Sequence, residues 1–121
     1  MPSLYTYRAR CTNVVDGDTI DVVLDTGFHS TRTERLRLLG VNTPELHDKN
    51  PTQRQAAIDA KRFTTGVLDE WASGAGPWPL LVTTTKTDSF GRYLADVTSY
   101  AVDDHYLSDL ILDAGHGVSF P

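Results

Sequence analysis

The chain has 121 residues, 40% hydrophobic and 22% charged, and its 11 Lys and Arg against 16 Asp and Glu leave a net charge of -5. That length and apolar content support one domain with a buried core, spanning residues 1–121, and exclude a disordered chain. The longest apolar stretches, such as Leu80 to Val82, fall far below the roughly 18 residues of a membrane-spanning helix, and the lone Cys11 excludes an internal disulfide or a Cys-rich zinc site.

In chain order, Leu4 to Val15 and Thr19 to Leu24 are rich in Tyr, Thr, Val and Ile, with Asp16-Gly17-Asp18 as the turn between two strands. A turn at Asp25-Thr26-Gly27 leads into a third strand, Phe28 to Val41. Within it Arg35, Leu36, Arg37 and Leu38 alternate, so that both arginines share one face and both leucines the other. Thr43-Pro44 ends the strand. Pro51 to Ser73 reads as a helix capped by Asn50, with Ala56, Ala60, Phe63, Val67 and Trp71 at intervals of three or four. Gly74, Gly76, Pro77 and Pro79 break it. Two strands follow, Leu80 to Thr85 and Tyr93 to Tyr100, joined by the loop Lys86 to Arg92; Leu107 to Ala114 is a last helix stopped by Gly115. Five short strands with an inserted helix predict a small closed barrel of the oligonucleotide-binding type, flanked by two or three helices.

Three polar clusters interrupt these apolar strands: Asp16-Gly17-Asp18-Thr19, then Arg37 through Val41-Asn42-Thr43-Pro44-Glu45, and Asp88-Ser89-Phe90-Gly91-Arg92. Together they offer carboxylates for a hard cation, a further carboxylate at a strand end, and two arginines. That set suits metal-assisted attack on a phosphodiester: a cation neutralises one phosphate oxygen, guanidinium groups offset charge on the others, and a carboxylate takes a proton from water.

In the same order and at similar separations, the three clusters resemble the signatures of the staphylococcal nuclease (thermonuclease) family: Asp-Gly-Asp-Thr, Arg-x-x-x-Val-Asp-Thr-Pro-Glu and Tyr-Gly-Arg. The resemblance covers nearly the whole chain, from about Val14 to Gly117. It implies a calcium-dependent nuclease acting on DNA and/or RNA and leaving 3′-phosphate ends. By that resemblance Asp18, Asn42 and the Thr43 carbonyl are the metal ligands, Glu45 is the general base, and Arg37 and Arg92 bind phosphate and stabilise the transition state. Asn42 stands where the family has a second aspartate, so the site is expected to hold calcium more weakly or to accept another divalent cation. Ser89-Phe90 replaces a Lys-Tyr pair that holds a terminal phosphate, and the chain stops at Phe120-Pro121, near where the family continues into nucleotide-stacking tyrosines. The alternative is a catalytically weak or inactive module of the same fold that binds nucleic acid or protein.

The acidic total argues against a polyanion grip, since that grip comes from Lys and Arg displacing counterions. Its distribution answers part of the objection. Up to Arg62 nine basic residues meet eight acidic ones, whereas beyond it only Lys86 and Arg92 face eight carboxylates. Arg35 and Arg37 are thereby expected beside the metal site, with Arg35 on a solvated strand face. Asp103-Asp104-His105 reads as a capping turn, His47 and Asp48 as loop residues, Cys11 as a packed thiol, and His116 has no evident partner. No secretory leader is visible in residues 1–20, which predicts an intracellular protein unless the chain is a trimmed domain. A monomer without a protein partner is expected.

Overall fold

A computed structural model describes residues 5–87, 91–101 and 105–120. Five strands make a closed barrel in the order β1-β2-β3-β6-β5: β1 (Thr6–Asp16), β2 (Thr19–Gly27), β3 (Ser30–Leu38), β5 (Leu80–Thr87) and β6 (Tyr93–Ser99). Two helices, α1 (Pro51–Ala72) and α2 (Leu107–Asp113), flank it. The expected barrel with two helices is present. A two-stranded ladder outside the barrel, β4 (Val41–Asn42) with β7 (Val118–Ser119), was not anticipated.

The period-two pattern does what its physics requires. Val22 and Leu24 of β2, Leu36 and Leu38 of β3, Val82 of β5 and Ala95 and Val97 of β6 all turn inward and are buried. Leu107 and Ile111 of α2 join the same core. Closure comes from antiparallel β1–β5 pairing and from a short parallel pairing of β3 with β6, in which Leu36 meets Tyr93 and Arg37 meets Leu94.

The third strand does not run unbroken from Phe28 to Val41. Phe28 and His29 occupy the turn at positive φ, and a second turn at Gly40 (φ 84°) separates β3 from β4. Gly40 supplies the left-handed conformation that redirects the chain. In α1 the predicted stripe is rotated. The buried ridge is Ala57, Ala60, Thr64 and Leu68, with Phe63, Val67 and Trp71 packed beside it. The turn at Gly17 draws this face in: a Cβ at Gly17 would lie 2.9 Å from the Ala60 Cβ, so only a small residue fits at position 60.

Helix ends follow the expected chemistry. The Asn50 side chain accepts from the Thr52 and Gln53 amides, and Pro51 opens the first turn of α1. At the end of α2 the Gly115 amide donates to Leu112 and the His116 amide to Ile111, with Gly115 at φ 78°: a Schellman motif. His116 does have a neighbour, stacking obliquely on Phe63 at 4.9 Å between ring centroids. The residues Asp88, Ser89, Phe90, Asp103 and Asp104, on which two of the sequence readings fall, lie outside the described residues.

Candidate functional site

The turn between β1 and β2 is held from three sides. The buried Thr64 hydroxyl of α1 donates to the Gly17 carbonyl at 2.7 Å. A Cβ on Gly17 would meet both γ atoms of Thr43 at 3.0–3.1 Å, so the glycine permits the β4 end to close over the turn. Asp18, 6% exposed, then accepts from the Thr43 amide (2.9 Å) and from the Thr19 hydroxyl (3.0 Å). Sequence reading finds Asp18, Thr43 and the Gly17 turn but misses Thr64 and the close approach at Gly17, which depend on a helix more than forty residues further along the chain.

Arg37 points outward from β3 yet is only 7% exposed, because β4 and the chain end cover it. Its Nη1 lies 3.4 Å from the Asp18 carboxylate and donates to the Leu38 and Val41 carbonyls at 3.0 and 2.6 Å. Its Nη2 donates to the Asn42 amide oxygen at 3.0 Å. The Phe120 ring stacks against the guanidinium at 5.5 Å, brought there by the β4–β7 ladder and by the Phe120 amide donating to the Gly40 carbonyl. Arg92, half-buried just before β6, donates to the Thr19 hydroxyl at 3.4 Å.

A cavity of about 330 Å³ gathers all six predicted residues: Asp18, Arg37, Asn42, Thr43, Glu45 and Arg92 line it, with Asp16 and Phe120. Arg35 is not among them. It is exposed and forms an ion pair with Asp21 at 2.7 Å, so the cationic contribution expected of it beside this cavity is absent. Burial pushes the Asp16 carboxyl above the usual range, and the nearby charges of Asp18 and Glu45 push it further in the same direction.

The donors at one end of the cavity are hard oxygens of the kind calcium or magnesium takes. Three acidic side chains, one amide and the buried Thr43 hydroxyl, which has no partner among the described residues, line the cavity. Among the described residues no three His, Cys, Asp or Glu side chains converge into a ready-made metal centre. A cation bound here would take its shell from separate carboxylates, neutral oxygens and water rather than from a preformed carboxylate cluster. Asp18 and Asn42 both retain lone pairs beyond the hydrogen bonds they accept here.

An uncharacterized protein of Methanocaldococcus jannaschii is 31% identical to this chain over 102 aligned positions, covering 74% of this chain and 47% of the relative. The chain spans about half the length of that curated relative. No family profile matches the chain.

Proposed function

We propose that this chain is a metal-dependent nuclease of the staphylococcal nuclease type, hydrolysing phosphodiester bonds of DNA and/or RNA with calcium or a related divalent cation. The observation that carries the reading is the composition of one cavity: carboxylates Asp16, Asp18 and Glu45 beside the guanidinium groups of Arg37 and Arg92. Glu45 is exposed and on a loop, where it has access to water and takes the proton from the attacking molecule as its oxygen bonds to phosphorus. Arg92 offsets charge on the phosphate oxygens as the bond to the 5′-oxygen breaks, leaving a 3′-phosphate. Asp18, Asn42 and Thr43 would hold the cation, which supplies further charge neutralisation when bound. Phe120, stacked on Arg37, adds an aromatic wall to the cavity.

A second reading has its own support. Three N–H groups of Arg37 are already spent on Leu38, Val41 and Asn42, as in a residue retained for architecture. It favours a module that binds nucleic acid or protein without turnover.

Hydrolysis of single-stranded DNA, duplex DNA and RNA by the purified chain, with calcium, magnesium or chelator, separates the two. Glu45→Gln and Arg92→Ala are each expected to lower the rate by about 100-fold or more. Variants as active as the parent would sink the catalytic reading. Retained oligonucleotide binding with no metal-stimulated turnover in the parent would establish the second.

A further inference from the structure

The opposite end of the barrel carries a second cavity of about 440 Å³. Its walls come from all five barrel strands and the residue preceding β1: Tyr5, Tyr7 of β1, Thr26 of β2, Arg32 and Glu34 of β3, Thr84 of β5 and Tyr93 of β6, over a floor of Leu24 and Leu36. Barrel mouths of this size are common seats of small ligands.

The register makes this lining unusual. Leu36 and Leu38 face the core, so Glu34 and Arg32, two and four residues before Leu36, lie on the same face of the strand, Glu34 half-buried and Arg32 exposed at the barrel mouth. Charged residues at positions the pattern reserves for apolar ones mark function more often than folding. Tyr7 likewise shares its face with buried Ala9, and Tyr93 with buried Ala95. Their rings pack on the core while the cavity opens beside them. The Arg32 guanidinium forms an ion pair with Glu34, and Tyr7 and Tyr93 line the same cavity.

Flat aromatic faces, one cation and one carboxylate acceptor in a single cavity select a planar heteroaromatic ring that carries both N–H donors and a negative charge. We propose that the barrel mouth is a nucleotide-binding site, with the base stacked on Tyr7 and Tyr93, its N–H groups donated to Glu34, and its phosphate paired with Arg32. Two sources share this chemistry, a free mononucleotide and a base within a single strand. Arg92, which lines the first cavity, and Tyr93, which lines the second, are consecutive residues of the chain.

The test is titration of the whole chain, in chelator, with adenosine 5′-monophosphate, ribose 5-phosphate and a short oligothymidylate, followed by backbone amide shifts. Chelator leaves any cation-dependent binding in the first cavity unloaded, so this site stands or falls without reference to hydrolysis. Expected are shifts at Tyr7, Thr26, Thr84 and Tyr93, with ribose 5-phosphate binding at least about fivefold more weakly than the nucleotide because it has no ring to stack. Tyr7→Leu keeps the apolar bulk and is expected to weaken binding about fivefold or more, Tyr7→Phe to retain it, and Arg32→Gln to weaken nucleotide and ribose phosphate alike. Oligothymidylate shifts at the same amides assign the site to strands; their absence beside nucleotide shifts assigns it to mononucleotides. Shifts confined to Asp18, Gly40 and Thr43, equal binding of ribose 5-phosphate, or no shifts at millimolar nucleotide would each overturn the proposal.

Discussion

At the scale of single residues, Arg37 and Arg92 look equivalent in the sequence and are not equivalent in the fold. Alternation along β3 shows that Arg37 shares a face with Arg35, and nothing local says which of the two is covered. The answer depends on β4 and on Phe120, more than eighty residues away. Arg37→Ala removes the buried partner of Asp18 and leaves the Leu38 and Val41 carbonyls without their donor. It is expected to lower unfolding stability by about 3 kcal/mol. Arg92→Ala, at a half-buried position, is expected to cost about 1 kcal/mol or less. Urea denaturation of both variants checks the contrast, and equal losses would show that Arg37 is not the structural member of the pair. Asp96 of β6 gives a pH dependence of definite sign. Burial raises its carboxyl pKa, and Asp109 in the first turn of α2 raises it further. An acid whose pKa is higher folded than unfolded favours the fold while protonated, and that contribution is lost as pH rises through the folded value. Asp96→Asn is therefore expected to unfold at higher temperature than the parent at pH 7, with the gap closing as pH falls below about 4. A gap that is constant from pH 7 to pH 3 would contradict it.

At the scale of elements, the helices were the most legible parts. Asn50-Pro51 and Gly115 are local signals that act within a few residues, and both lie where they were expected. The rotation of the α1 stripe was illegible because it arises from the contact of Ala60 and Thr64 with Gly17, a tertiary approach that periodicity does not encode. The β2–β3 hairpin fails the sequence reading for another reason. Its tip places Phe28 and His29 at φ 56° and 59°, where Asn and Gly are the residues ordinarily found, and Phe28 is fully exposed. A non-glycine residue in the left-handed region costs about 1 kcal/mol or more, and no contact of the exposed Phe28 ring among the described residues offsets it. Phe28→Asn combined with His29→Gly is expected to stabilise the chain by about 1–2 kcal/mol. The denaturant midpoint should rise with an unchanged slope, and a midpoint that falls would mean that the two side chains hold the hairpin in a way its backbone does not reveal.

At the scale of the whole molecule, the five-stranded barrel was legible because turn residues recur between short β-branched runs, each of which turns one face inward. Its closure was not, since the parallel β3–β6 pairing and the β4–β7 ladder join residues distant in the chain. Closure also gathers three acidic side chains from two loops into one cavity of a chain already at net -5. The burial and mutual repulsion felt by Asp16 oppose folding, and a bound divalent cation would offset them. A cation that binds only the folded chain stabilises it by mass action, by about 2.7 kcal/mol at a hundredfold excess over its dissociation constant. Calcium is thus expected to raise the thermal midpoint and chelator to reverse the rise. Sodium chloride at matched ionic strength controls for general screening of the acidic surface. Asn42→Asp adds a charge to the ligand set while keeping an oxygen for the Arg37 hydrogen bond, and so should lower the calcium concentration needed for half of the effect. A midpoint that responds to calcium and to matched sodium chloride equally would mean that the cavity holds no specific cation, and an unchanged calcium requirement in Asn42→Asp would remove Asn42 from the ligand set.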